Sequence, residues 1–355
     1  MKRKSFAPVT SQQVAQLAGV SQSAVSRTFT PGASISPATR EKVMQAAREL
    51  GYRPNALARS LNTARSRIIG VVISWFDNHF YPQVLEVLAQ QLDALNYHLL
   101  LFVENRDGTV DKIFDQIMQY RVDGIVLASV SLSDALSQEC QAAGIPVVLF
   151  NRAADDALTS SVNTDNCAAA RQIAEFLLAG GHQRFAYVAG LPDSSVNQLR
   201  QQGFSETLAA RGLTLQVVQG NYDREQTLQA ARSLFNRATP PDAVFAATDH
   251  MALMVMDVAR YEFGLAIPEQ LSVVGYDDVG PAGWPSYALT SASQPVQAMV
   301  DATVALLMKQ IDSGTLAPEQ IQIPATLVVR HSARRPRVGV VESDGYSWFR
   351  PEDVK

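Results

Sequence analysis

Short apolar runs alternate with amphipathic stretches along most of this chain. The runs Ile68–Ile73, His98–Val103, Gly124–Ala128 and Val147–Phe150 read as buried parallel strands, since a strand covered on both faces is apolar almost throughout. Helical periodicity near 81–95, 111–120 and 133–143 separates them. A second series, Arg184–Ala189, Leu215–Gln219, Ala243–Ala247 and Ser272–Gly275, alternates with helices near 166–179, 196–211, 224–236 and 250–262. Repeated strand–helix units predict an α/β body of two doubly wound parallel sheets, and ligands favour the carboxyl ends of such strands.

The first residues follow a helical rule. Thr10-Ser11-Gln12-Gln13 has the form of a capping box, and Val14, Leu17 and Ala18 give the helix it starts one apolar face. Gly19 permits a sharp turn, Ser21 can cap a second helix over 22–29, and Val20, Val25 and Phe29 face the same small core. Ser36-Pro37 opens a third helix with Val43, Ala46, Ala47 and Leu50 inward, and Gly51 closes it. Two short helices joined at a glycine and buttressed by a third predict an all-α helix-turn-helix domain, although periodicity alone also fits a plain three-helix bundle.

Charge separates the two regions. The net charge is −4, yet residues 1–67 hold eleven Lys/Arg against Glu41 and Glu49, which leaves −13 on the remainder. A basic head on an acidic body is suited to a polyanion. No apolar run is long enough to span a membrane, and the basic start is followed by no apolar stretch of the kind a secretory signal needs. Cys140 and Cys167 form no metal-ligand spacing and read as fillers in a reducing compartment, so cytoplasm, at the nucleoid, is the expected location. The body carries no GxGxxG after its first strand, no Walker loop, no GxSxG elbow and no HExxH, and its five histidines are scattered. Neither catalysis, nor a metal, nor a cofactor is expected.

The string Val9-Thr10-Ser11-Gln12-Gln13-Val14-Ala15-Gln16-Leu17-Ala18-Gly19-Val20-Ser21, with Ala24-Val25-Ser26-Arg27, closely resembles the head of the lactose-repressor (LacI/GalR) family. Ser36–Val43 and Glu49–Leu61 continue the likeness, which extends to about residue 332. The resemblance implies a helix-turn-helix domain over 1–54, a hinge helix and linker over 55–67, and a two-lobed, periplasmic-binding-protein-like effector domain over 68–332. Lobe 1 is expected over about 68–155 and 292–324, and lobe 2 over about 160–288 and 326–332. Residues 333–355 form a tail of unassigned role. The second helix would lie in the major groove, with Gln22, Ser23 and Arg27 reaching bases and Thr10, Ser21, Ser26 and Ser36 meeting phosphates. Ser21 and Ser36 read equally well as plain helix caps. Asn55, Ala58 and Leu61 fall on the hinge, where Leu61 is the apolar wedge for the minor groove. Thr30-Pro31 stands where this family usually has an asparagine.

The family's sensor domains are similar to periplasmic sugar-binding proteins, and a ribose-type pattern is matched by Asn78, Phe80, Tyr81, Asn151, Arg152, Arg200, Tyr222, Thr248, Asp277 and Gln294. Asn151 and Thr248 depart from the usual Asp and Asn. Aromatic faces suit the C–H faces of a sugar, and the charged and amide groups suit its hydroxyls. Asp165 reads as a ligand or as a helix cap, Asp249 as a cap, Ser194 as a minor contact, and Trp284 as cleft border or packing. The function implied is an operator-binding homodimeric regulator, a repressor, controlled by a small sugar-like effector and independent of membranes. The rivals are a periplasmic-type sugar-binding transport protein, which the basic head argues against, a two-lobed enzyme, and a co-repressor-type regulator that senses a nucleobase.

Overall fold

The computed structural model describes residues 9–30, 32–53, 65–74, 78–103, 110–128, 133–153, 159–343 and 345–351. They form two compact units, Met1–Ser66 and Arg67–Lys355. In the first unit α1 (Ser11–Ala18), α2 (Gln22–Thr28) and α3 (Pro37–Leu50) enclose Val14, Ala15, Val25, Val43, Ala46 and Ala47. Each helix starts where a hydroxyl can accept an orphan backbone N–H: Thr10 from Gln13, Ser21 from Ala24, and Ser36 from Thr39. The capping box at Thr10 is closed in both directions. Leu17, expected on the inner face of α1, is instead 48% exposed, and Ala15 takes the inner position. The hinge residues Asn55, Ala58 and Leu61 lie outside the described residues.

The second unit holds two sheets. One has the order β11-β5-β4-β3-β1-β2 and is parallel throughout. Its strands are β1 (Ile68–Ile73), β2 (His98–Val103), β3 (Gly124–Ala128), β4 (Val147–Phe150), β5 (Ser160–Thr164) and β11 (Gln320–Ile323). The other has the order β13-β14-β12-β10-β9-β8-β6-β7. It is built from β6 (Phe185–Ala189), β7 (Leu215–Gln219), β8 (Ala243–Ala246), β9 (Ser272–Asp277), β10 (Thr290–Ser293), β12 (Thr326–Val329), β13 (Val340–Ser343) and β14 (Tyr346–Phe349). Helices α4 (Phe80–Ala94), α5 (Val110–Tyr120), α6 (Ser133–Ala142) and α11 (Val296–Ser313) belong to the first lobe. Helices α7 (Asn166–Ala179), α8 (Ser195–Ala209), α9 (Arg224–Phe235) and α10 (Asp249–Asp257) belong to the second. A π turn, Val258–Glu262, ends α10. No helix among the described residues is long and apolar enough to cross a membrane.

The eight strands read from apolar runs stand where periodicity predicts them, although β2 and β7, at the sheet edges, are mostly half-exposed and not buried as expected; the polar strands escape it. Strand β5 reads Ser-Ser-Val-Asn-Thr, yet every residue of it is buried. Several of its polar groups have partners: Gln310 Nε2 donates to Ser160 Oγ at 2.8 Å, and Asn163 Nδ2 donates to the Arg152 carbonyl at 3.4 Å, whereas Ser161 Oγ and Asn163 Oδ1 have none among the described residues. Because β5 pairs with β4 and β11, residues 160–164 belong to lobe 1, not to lobe 2 as expected, and the chain first crosses after Thr164. Strand β10 pairs with β9, so residues 290–293 lie in lobe 2 and the return crossing falls at 293–296. The region 333–355 is not a separate tail. Strands β13 and β14 form a hairpin that adds to β12 in antiparallel register. Phe349 is 1% exposed and meets the Phe176 ring edge-on at 5.3 Å, while Gln172 Nε2 donates to its carbonyl.

Phe349→Ala should therefore cost about 3–5 kcal/mol in the unfolding of the second unit. Tyr346→Ala, at a half-exposed position of the same hairpin, should cost well under 1 kcal/mol, or about nothing. Urea denaturation followed by circular dichroism measures both.

Candidate functional site

Two surfaces collect the residues singled out by sequence. On the first unit, Gln22, Ser23, Ser26 and Arg27 are all exposed along α2, with Val25 and Thr28 turned into the core. Arg27, in the last turn of its helix, makes no side-chain hydrogen bond or ion pair among the described residues. Gln22 Nε2 donates to Ser11 Oγ at 2.8 Å, and Ser21 Oγ lies 2.9 Å from Ser23 Oγ. The hydroxyls of Thr10, Ser21 and Ser36 cap helices, and Thr30 Oγ1 donates to the Ser26 carbonyl. Helix starts pinned in this way present backbone N–H groups outward, which is suited to phosphate.

On the second unit, the strand ends of both sheets open on one small cavity. It is lined by Asn78, Tyr81, Asn151, Ser194, Val196, Arg200, Tyr222, Thr248, His250 and Asp277. Asn78 and Tyr81 come from the turn after β1 and the start of α4, Asn151 from the end of β4, and Asp277 from the end of β9. Three of these residues hold left-handed backbone without being glycine: Asn151 at φ 55°, Tyr222 at 56° and Asp277 at 117°. Strain of this kind gathers where the surrounding structure must aim a side chain. Gly190 makes room for one of them, because a Cβ there would lie 2.0 Å from Tyr222 Cζ. The Tyr222 hydroxyl reaches Ser194 Oγ at 3.3 Å.

Arg200 is the centre of the site. It is 1% exposed, with Nε donating to Asn166 Oδ1 at 2.7 Å and Nη1 to the Ala247 carbonyl at 2.5 Å. Its guanidinium carbon sits 3.5 Å from the centroid of the Tyr276 ring. Its Nη2 has no acceptor among the described residues. Asp277 faces it, accepting from Asn78 Nδ2 at 3.0 Å and from Gln294 Nε2 at 2.8 Å. The first of these bonds joins lobe 1 to lobe 2. Burial raises the Asp277 carboxyl to about 6, against the pull of Arg200 and the two amide donors. Burial likewise raises the Tyr81 hydroxyl to about 12, opposed by a hydrogen bond from Asn151.

Four expected ligands stand outside the lining. Phe80 is fully buried in the lobe 1 core, stacked on Phe150 and edge-on to Tyr81, so it supports an aromatic wall without reaching the cavity. Gln294 lies behind the Asp277 carboxylate. Arg152 lines a smaller side pocket that shares Tyr81, Asn151, Ser194 and Val196 with the main cavity. Asp165 caps α7, accepting from the Ala168 N–H at 3.0 Å. Asp249 was expected as a cap, but Thr248 caps α10 and Asp249 is the first residue inside it. The Asp249 carboxyl, fully buried, accepts from Ser291 Oγ at 2.6 Å and from the Val279 N–H at 2.9 Å. Trp284 is 56% exposed and lies outside the lining. Sequence reasoning missed Val196 and His250, and the position of His250 just after β8 was the available signal. Asn166 and Tyr276, which hold Arg200, carry no sequence signature because their role depends on a partner far along the chain.

Residues 10–55 match the family described as bacterial regulatory proteins, lacI family, and residues 174–333 match a periplasmic binding protein-like domain. The chain is 34% identical, over 333 residues, to the HTH-type transcriptional regulator CelR of Thermobifida fusca, covering 91% of this chain and 98% of that protein. It superposes with a TM-score of 0.82 on a lac repressor dimer bound to operator and the anti-inducer ONPF, at 27% identity, covering 92% of this chain and 99% of that one. A transcriptional regulator CelR–cellobiose complex gives a TM-score of 0.71 at 32% identity, covering 92% of this chain and 100% of that one.

The raised carboxyl of Asp277 has a measurable consequence. A folded-state value above the unfolded one favours the protonated fold, so this contribution is complete below about pH 4 and is lost as pH rises through about 6. Stability should fall across that window by on the order of 2 kcal/mol from this group. In Asp277→Asn the same slope, measured by urea midpoints between pH 4.5 and 7.5, should flatten. An unchanged slope would show that Asp277 does not titrate there.

Proposed function

The chain belongs to the lacI family of bacterial regulatory proteins, and from that premise we propose that it is a dimeric repressor whose hold on operator DNA is set by a neutral sugar or sugar derivative bound in the cleft. The observation that carries the ligand class is a pair of unused polar atoms on two residues that line the cavity. Arg200 Nη2 is a donor with no acceptor, and Asn151 Oδ1 an acceptor with no donor, among the described residues. A polyhydroxyl ligand satisfies both, since each hydroxyl donates and accepts. Arg200 and Asp277 offset each other's charge, which favours a neutral ligand over an ionic one. Tyr81 and Tyr222 supply faces for the sugar's C–H groups, and the relative bound to cellobiose supports the same class.

On the head, α2 enters the major groove, with Arg27 bidentate to a guanine, Gln22 and Ser23 beside it, and Thr10, Ser21, Ser26 and Ser36 on phosphates. Asn55, Ala58 and Leu61 form the hinge that reaches the minor groove. Effector closes the lobes, which changes the hinge spacing in the dimer and shifts the population able to bind DNA. The protein works in the cytoplasm, and the cleft binds its ligand without transforming it.

A thermal-shift screen of neutral pentoses, hexoses and disaccharides against sugar acids and nucleobases tests the class, followed by operator binding with each hit. A hit confined to nucleobases would overturn it. Asp277→Ala should weaken the bound sugar about a hundredfold, because two hydrogen bonds to a charged group are lost, and leave operator binding near wild type. Arg27→Ala should cost about 1–3 kcal/mol on the operator and much less on random DNA at the same salt. Equal losses on both would make Arg27 a phosphate contact.

A further inference from the structure

Behind the cleft wall, two of the three strands of chain that cross between lobes touch each other through side chains. Thr164 ends β5 at the first crossing, and Gln294 follows β10 at the second. Thr164 Oγ1 donates to Gln294 Oε1 at 3.1 Å and lies 2.9 Å from the Tyr276 hydroxyl. A threonine hydroxyl has one hydrogen, so with it given to Gln294 the Tyr276 O–H must be the donor to Thr164. The Gln294 amide is thereby oriented, with its oxygen taken by Thr164 and its Nε2 turned to Asp277 Oδ1 at 2.8 Å. The bonds run in one direction, from Tyr276 through Thr164 and Gln294 to the carboxylate. The Thr164 carbonyl accepts from Asn166 Nδ2 at 2.8 Å, and Asn166 Oδ1 holds Arg200 Nε. Thr164, Asn166, Tyr276 and Gln294 are all buried.

We propose that Thr164 is a positioning residue of the effector site: from the first crossing it sets the Gln294 amide that holds the Asp277 carboxylate and, through Asn166, the guanidinium opposite. Thr164 touches no ligand itself, being absent from the cavity lining. The consequence is that both charged groups of the cleft are referred to one residue on the path that bends when the lobes move. This role deepens the sugar-sensing reading and rests on it for its purpose, while its geometry is independent of which ligand binds.

The test reads the carboxylate directly and needs no effector. In the full chain labelled with 13C at the aspartate carboxyl carbon, the Asp277 signal is identified by its loss in Asp277→Asn and followed with pH. The groups facing Asp277 are Arg200 from α8, Tyr81 from α4, Tyr222 after β7, Tyr276 on β9 and Asp249 from α10, and His250 lines the same cavity. Of these only Tyr276, whose hydroxyl donates to Thr164, loses a partner in Thr164→Val, and burial, which raises that hydroxyl, keeps it neutral across the range measured. Wild type should titrate near 6. Thr164→Val, which keeps the shape and removes the hydroxyl, should raise that midpoint by about 1, the effect of one charge-assisted hydrogen bond partly lost. Thr164→Ser should restore it, and aspartates remote from the cavity should not move. If Thr164→Val does not fold, Tyr276→Phe carries the test, since it keeps the ring over Arg200 and removes the donor that fixes the Thr164 hydroxyl. A smaller rise of the same sign is then expected. An unmoved Asp277 midpoint in a folded Thr164→Val, or in Tyr276→Phe where that variant stands in, would overturn the proposal. Failure of the sugar screen, with the midpoint moved, would instead count against the ligand class and leave the relay standing.

Discussion

A guanidinium with almost no access to water remains charged only if the protein replaces what water supplied, and most of the second unit's site follows from that requirement at Arg200. Two of its donors are taken by Asn166 and the Ala247 carbonyl, its face lies on Tyr276, and a carboxylate stands opposite. Removing any one partner of such a buried pair leaves the other uncompensated, which is costly. One donor, Nη2, is left without an acceptor among the described residues, on a side chain that lines the cavity. The strained backbone at Asn151, Tyr222 and Asp277 lies around this group.

The carboxylate opposite is balanced less completely than the cation. Its two amide donors come from different parts of the unit, Asn78 from lobe 1 and Gln294 from a crossing. Behind it, Asp249 adds a second buried carboxyl, whose ionisation is pushed well up by burial and by the charge of Asp277. Asp249 and Ser291 hold the backbone just past Asp277, Ser291 Oγ accepting from the Asp278 N–H while Asp249 accepts from Val279. Gly275 is required for this, because a Cβ there would lie 2.1 Å from Asp249 Oδ1. The end of β9 is thus fixed by groups within the fold before any ligand arrives, which lowers the ordering that binding must later impose.

How much of this could be read in the sequence depends on whether the information is local. Helix caps are local: Thr10, Ser21 and Ser36 each act within three residues, and all three are where the pattern put them. Apolar strands are local too, since a run such as Ile68–Ile73 names its own environment. Strand β5 is not, because Ser160 and Thr164 are buried only by virtue of Gln310 and Gln294, over a hundred residues later. The cleft was legible where a side chain follows an apolar strand, as for Asn151 and Asp277. It was misread where neighbours in sequence point to opposite sides, so that Phe80 enters the core while Tyr81 reaches the cavity. Leu17 was misread as well: periodicity puts it inward, yet it is half-exposed while Ala15 is buried, because side-chain size and the exact helix face are not in the pattern.

The hairpin at 340–349 bears on the order in which the protein is made. Strand β12 has one long-range neighbour in β10, and its other edge is covered only by β14. The small core of the helical head draws on no residue beyond Tyr52, whereas the core around Phe176 lacks a wall until Phe349 is in place. A chain that stops short of the hairpin therefore leaves the second unit with an open apolar face and an unpaired strand edge behind a head whose own core is closed, features that favour aggregation and proteolysis.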